Sequence, residues 1–179
     1  MIESVAFFRN LNLAQGLSPT RPQLIDAFAT AGASVALSFQ TNGTVLFTAR
    51  RPGQAARDVV TVLTPACGYA DKVIVRSARW VTELSERLIR GGFAEANAEV
   101  SLFDGPATFP EPVPWTPGSG RVSVVEADGQ HAVSVNERPR TSYATPALER
   151  LLAVPVTSRG AGTMIRLAYK IQLEKDNVP

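Results

Sequence analysis

Apolar positions fall in short bursts along the chain, and their spacing sets the first expectations. Residues 2–8 (Ile-Glu-Ser-Val-Ala-Phe-Phe) carry β-branched and aromatic content and predict a strand. A helix over 21–31 follows, with Leu24, Ile25 and Phe28 on one face and Gly32 as its stop. Thr20 and Gln23 have the spacing of a capping box. Two strands, 35–39 and 44–48, flank Asn42-Gly43, the signal of a two-residue hairpin. Arg51-Pro52-Gly53 breaks the pattern. A second helix then runs to about Leu63, burying Ala56, Val59, Val60 and Val62, and a short strand covers 72–76. The order β-α-β-β-α-β over residues 1–77 is the ferredoxin-like pattern.

Residues 78–179 predict a second α+β half, fused to the first as one compact unit. Ser77 caps a third helix whose Val81, Leu84 and Leu88 face inward, and Gly91-Gly92 ends it. A strand covers 99–103. The segment 105–120 holds five prolines and three glycines and reads as a surface loop, with Trp115 as a packing anchor. A hairpin pairs 121–127 with 130–136 around Asp128-Gly129. Counting from that turn puts Glu126 opposite His131, Val124 opposite Val133 and Val122 opposite Val135, all on one face. His131 is then a cross-strand partner of a carboxylate at a sheet edge. Thr145 as cap and Pro146 at the first helical position open another helix, with Leu148, Leu151 and Leu152 apolar. Segment 164–173 fits both periods; the one-turn spacing of Arg166, Lys170 and Glu174 favours helix.

Composition narrows the chemistry. The chain has 179 residues, 45% of them hydrophobic, and no apolar run nears the ~20 residues a membrane helix needs. Its start, Met-Ile-Glu-Ser, lacks the basic and apolar segments of a secretory signal, so a cytoplasmic protein is expected. One cysteine and one histidine build neither a zinc site nor an internal disulfide, and Cys67 reads as a core filler at a helix end. No metal or cofactor is expected. The net charge is +2, with 15 arginines among 18 basic residues, weaker than the basic stripe of a duplex-DNA binder.

Two places can hold a ligand. In a ferredoxin-like unit the loop after strand one and the turn after strand two share one end of the sheet. Arg9, Asn10 and Asn12 should therefore approach Gln40 and Asn42, one guanidinium fork among several amides, suited to carboxylate or phosphate. The alternative is that these side chains only satisfy loop backbone. The second place is Arg159-Gly160-Ala161-Gly162-Thr163. If a helix starts there, backbone N–H groups near Gly160 and Gly162 favour an anion, with Arg140 and Arg159 adding charge. The spacing is neither a P-loop nor a dinucleotide fingerprint. No catalytic residue stands out: Gly118-Ser119-Gly120 has no strand leading into it.

The motifs in order resemble the bacterial family catalogued as domain of unknown function 1697. Arg9-Asn10-Leu11-Asn12-Leu13-Ala14-Gln15-Gly16 is similar to that family's first loop. Gln40-Thr41-Asn42-Gly43 with Val45-Leu46-Phe47 is similar to its second turn and strand. Val73-Ile74-Val75-Arg76 and Leu148-Glu149-Arg150 with Val156-Thr157-Ser158-Arg159 match in type. The resemblance runs from about residue 5 to 173 and implies two fused α+β halves with no established activity. The chain departs from the family pattern at Gly160-Ala161-Gly162, where Asn-Trp-Asn is usual, and at Thr141-Ser142, where a Ser-Lys pair is usual. The proline-rich loop stands where the family has a middle helix.

Three readings follow. One is a small binding module holding an anionic ligand, a nucleotide or short nucleic acid, at the Arg9/Gln40 edge. Another is an interaction or assembly subunit, possible as a homo-oligomer, using the proline-rich loop or a sheet edge. The third is an enzyme with a site not evident in sequence.

Overall fold

The computed structural model describes residues 1–94, 96–139 and 141–176. Arg140, one of the expected cations, lies outside them. The chain forms two units, Met1–Val81 and Thr82–Pro179. Each has a four-stranded antiparallel sheet, and the fold is α+β.

The first unit runs β1 (Ile2–Phe8), α1 (Arg21–Thr30), β2 (Val35–Phe39), β3 (Thr44–Ala49), α2 (Pro52–Cys67) and β4 (Val73–Ser77). Its strand order is β2-β3-β1-β4. The Thr20 capping box forms: Gln23 N donates to Thr20 Oγ1 at 3.4 Å, and Thr20 N donates to Gln23 Oε1 at 2.8 Å. Alternation along β1 sends Ala6 and Phe8 to one face, where Leu24 and Phe28 of α1 and Val59 and Leu63 of α2 pack on them with Val45 and Phe47. Phe28 and Phe47 stack with centroids 4.9 Å apart. The helix α2 runs past Leu63 to Cys67, and Gly68 ends it in the left-handed region at φ 82°.

The β2–β3 connection differs from the two-residue turn expected. Phe39 pairs with Thr44, so four residues, 40–43, make the turn. The cause is tertiary. Leu13 N donates to Thr41 O at 2.8 Å, tying the turn to the β1 loop. Gly43, at φ 66°, sits so close that a Cβ would lie 2.9 Å from both Phe8 Cβ and Leu11 Cβ.

The unit boundary falls within α3 (Ala78–Arg90), capped by Ser77 Oγ, which accepts from Trp80 N at 3.1 Å. The second unit continues with β5 (Ala98–Phe103), β6 (Val122–Ala127), β7 (His131–Asn136), α4 (Ala144–Leu152), β8 (Val156–Gly160) and α5 (Ala161–Asp176). Its order, β6-β7-β5-β8, repeats the first sheet: β5 stands as β1, β6 as β2, β7 as β3 and β8 as β4. Both fourth strands lead directly into a helix. No helix matches α1. The proline-rich segment makes that crossover, and Trp115 exchanges backbone hydrogen bonds with Val124 at 2.8 and 2.7 Å. Phe109 meets Trp115 edge-on, and both pack on Phe103, Val122, Val124, Leu148 and Val156. Trp115 is thus the anchor expected.

Five expectations need correcting or completing. Strand β8 was not anticipated, because Thr157, Ser158 and Arg159 give it little apolar signal. The β6–β7 turn is closed between Asp128 and His131, since Asp128 Oδ1 accepts from Gln130 N and His131 N at 2.7 and 2.9 Å. With a bulge near Val125, Val122 pairs with Asn136, Val124 with Ser134 and Glu126 with Val133. Val122 and Val124 therefore share no face with Glu126. His131 lies on interior strand β7, 1% exposed, not at an edge. Helix α4 starts at Ala144 without a side-chain cap; the Thr145 hydroxyl is engaged elsewhere. The ambiguous 164–173 segment is helical, within α5.

Candidate functional site

The first expected site sits after β1. As foreseen, the loop and the β2–β3 turn meet: Phe8 N donates to Gly43 O and Leu13 N to Thr41 O, each at 2.8 Å. The side chains turn to other partners. Arg9 reaches Asp71, Nη1 lying 2.9 Å from Oδ2, and Asn10 Nδ2 donates to the same oxygen at 2.8 Å. Tyr69 donates its hydroxyl to Arg9 O at 2.7 Å. Arg21 donates to the carbonyls of Ser38 and Gln40, each at 3.0 Å. Asn42 Oδ1 accepts from Thr44 Oγ1 at 2.9 Å, and Asn12 N donates to Ser18 Oγ at 3.2 Å. These bonds stitch the loop closed, and Asp71 sets a carboxylate against the cation meant for an anion. Asp71, Tyr69 and Arg21 were missed because their partners lie distant in sequence.

The second expected site opens into a cleft of about 470 Å³ in the Thr82–Pro179 unit. Gly160 and Gly162 line it, with Glu99, Asn136, Ser142, Ser158, Thr163 and Arg166. Arg159 does not share their face. It pairs with Val100, is 7% exposed, and donates to Thr157 Oγ1 at 3.0 Å and Ser158 O at 2.8 Å.

The strand registers explain the floor. Glu99 pairs with Ser134 on β7 and Gly160 on β8, and Ser101 pairs with Ser158. Alternation puts Glu99, Ser101, Ser134, Asn136 and Ser158 on one face of the sheet. A sheet face under a helix is ordinarily apolar; this one is polar and closed by the start of α4. Glu99 is 5% exposed, and Ala144 N donates to its Oε1 at 3.3 Å. Burial raises its pKa above the ordinary range, opposed by hydrogen bonds with Ser142, Asn136 and the Ala144 backbone. Four hydroxyls form a chain from rim to interior: Ser142 to Thr145 at 3.0 Å, Thr145 to Ser158 at 2.6 Å, Ser158 to Ser101 at 2.8 Å. Ser134, wholly buried beside Glu99, has no hydrogen-bond partner for its hydroxyl among the described residues.

At the rim, α5 begins directly beside Glu99. Its first-turn N–H groups lack intrahelical acceptors, and its dipole adds positive potential. Neither glycine there has a positive φ. A Cβ at Gly160 would come no closer than 3.9 Å to Thr163 Oγ1, and one at Gly162 no closer than 3.5 Å to Arg166 Nη1. The fold demands glycine at neither place; what a side chain would fill is the cleft.

Elsewhere in this unit, His131 Nδ1 lies 2.9 Å from Asp128 Oδ1 and Nε2 3.6 Å from Glu126 Oε1. Burial lowers its pKa, against the pull of both carboxylates. The ring is 1% exposed. Among the described residues no three of His, Cys, Asp and Glu cluster as a metal would require. No helix among them is long and apolar enough to cross a membrane.

Fold and site together define an α+β protein of two antiparallel sheets with a polar cleft in the second. The chain belongs to the family described as Protein of unknown function (DUF1697), whose model matches residues 1–103. The solved structure of the conserved bacterial protein SP0830 from Streptococcus pneumoniae is similar, with TM-score 0.62 and 12% identity over 96% of this chain and 99% of that one. At that identity the likeness concerns the fold alone. No curated protein matches the chain.

Proposed function

We propose that this protein is a binding module for a small polar ligand, held in the cleft at the start of α5. The observation that carries the reading is a nearly buried carboxylate, Glu99, among hydroxyls on the floor of an open cleft of about 470 Å³. Burying such groups costs about 1–3 kcal/mol for each one left unsatisfied. A fold that needed only stability would carry apolar residues there. Gly160 and Gly162 support the same reading. Gly162 lies in α5, where glycine is worth about 1 kcal/mol less than alanine, and Gly160 ends β8; nothing in the local packing calls for glycine at either place. The Arg9/Gln40 edge, the first place expected from sequence, is the weaker one, because Asp71 and Asn10 already occupy its polar groups.

A thermal-shift screen against nucleotides, short oligonucleotides and phosphorylated metabolites tests this, with Gly162→Phe and Arg9→Ala alongside. Gly162→Phe fills the cleft from the rim and favours the helix. A ligand at about 100 times its dissociation constant adds about 2.7 kcal/mol of stability. The expected shift appears in the wild type and Arg9→Ala and disappears in Gly162→Phe. Loss in Arg9→Ala with retention in Gly162→Phe would return the site to the β1 loop.

A further inference from the structure

The cleft's lining specifies a ligand class. This step rests on the binding reading above and deepens it. We infer that the ligand is a sugar-sized polyol carrying one oxyanion, a phosphate or a carboxylate, with the oxyanion at the start of α5 and the hydroxyls on the floor.

The oxyanion end follows from what converges on the rim. The first turn of α5 presents unsatisfied N–H groups and the positive end of its dipole. Its first turn carries no acidic residue. Arg166, exposed and one turn on, holds its guanidinium near Gly162, donating from Nη2 to Thr163 Oγ1 at 3.3 Å. A guanidinium fork beside a helix start matches phosphate and carboxylate geometry.

A helix start alone is no site, and here the floor adds independent observations. Glu99, 5% exposed, lines the cleft with Asn136 and Ser158, and behind that lining Ser134, fully buried and paired with Glu99 across the sheet, keeps a hydroxyl with no partner among the described residues. The side-chain-free cradle at Gly160 and Gly162 lies directly beside Glu99. Glu99, Ser142 and Ser158 can each accept from or donate to a hydroxyl, which is how polyols are held. Three such groups lining one cleft suit several adjacent ligand hydroxyls, not one apolar group.

The lining also argues against a nucleobase. None of the residues that form the cleft is aromatic. Base recognition leans on an aromatic or guanidinium face to stack upon. Among the described residues that line the cleft, the single arginine, Arg166, is at the rim with the helix start. A cationic ligand is disfavoured on the same count: Arg166 and the helix dipole stand over its entrance.

The test is isothermal titration calorimetry of the full chain with four probes: ribose 5-phosphate, gluconate, ribose and inorganic phosphate. At least one of the first two should bind, at least tenfold tighter than ribose or phosphate alone; which of them wins tells phosphate from carboxylate. Arg166→Ala, on the exposed face, should weaken the winner at least tenfold while leaving the melting temperature unchanged. Glu99→Gln should weaken it severalfold, and Gly162→Phe should abolish it. Binding that ignores Arg166→Ala, or a preference for ribose over both oxyanions, overturns the inference. A response to spermidine or a free nucleoside that Gly162→Phe removes, with neither oxyanion polyol binding, also overturns it while leaving the binding reading intact. Silence from every probe here and in the wider screen defeats both.

Discussion

In the first unit, Ser4, Ala6, Phe47, Ala49 and Val75 occupy the sheet places that Glu99, Ser101, Ser134, Asn136 and Ser158 hold in the second. The registers align one for one, so Val5 and Arg76 likewise match Val100 and Arg159. One architecture thus carries two floors. The first is apolar apart from Ser4 and lies under α1 and α2, where Phe28 closes on Phe47. The second lacks the first helix. Its proline-rich strap supplies Phe109 and Trp115 to the apolar end of the sheet, near β6, and leaves the polar end to the start of α4. The difference teaches that the strand frame tolerates either floor. In one unit the floor is buried under two helices; in the other it opens into the cleft of the proposed binding site.

The strongest way to break the comparison is to give the first unit the second unit's residue. Phe47→Ser should destabilise by about 3–5 kcal/mol, as loss of a buried aromatic does, read by urea unfolding. A cost under 1 kcal/mol would mean that the first floor is not a core. Next come the two turns. Gly43→Ala should cost about 1–3 kcal/mol, from its positive φ and the 2.9 Å approach to Phe8 and Leu11. Gly129→Ala, in the matching turn, meets only Ala107 O at 3.5 Å and should cost much less. Equal costs would erase the contrast. Smaller again, Ser134→Ala removes a buried hydroxyl without a described partner and should stabilise by about 1 kcal/mol.

The last contrast is in pH, within the second unit. Glu99 has its pKa raised above 4.5 by burial, so the folded state holds its proton more tightly. Its contribution is fully present below pH 4.5 and is lost as pH rises through the folded value. His131 has its pKa lowered below 6.5 by burial, so its contribution is present above 6.5 and is lost as pH falls through the folded value. Unfolding followed from pH 4 to 8 should therefore lose a fall in stability that starts above pH 4.5 in Glu99→Gln, and a rise in stability that is complete by pH 6.5 in His131→Gln. Unchanged slopes would contradict both assignments.

The first unit was legible in sequence because its signals agree. The Thr20 box, the β-branched and aromatic content of β1 and the break at Arg51-Pro52-Gly53 all point to the elements that form. The second unit was less so, for the reason that makes it interesting. Glu99 and Ser101 alternate with apolar residues and Ser158 sits among polar ones, so the rule that polar means solvent puts all three outside. They face α4 instead. That same polarity hid β8 and freed the Thr145 hydroxyl from capping to join Ser142 and Ser158. The glycines of the cleft were seen, but not Glu99 beside them. That pairing joins residues about sixty apart, and sequence carries no register between them.

The account's central claim is that the second floor is kept polar for binding, at a cost in stability. Its most direct test is the urea unfolding free energy of the triple variant Ser101→Ala, Ser134→Ala, Ser158→Val, which moves the floor toward that of the first unit. Thr145 keeps Ser142 as its partner, so no new donor is stranded. The variant should gain about 1–2 kcal/mol over the wild type and lose the ligand-induced shift. A variant less stable than the wild type by a similar amount would show that these hydroxyls serve the fold, and would contradict the claim.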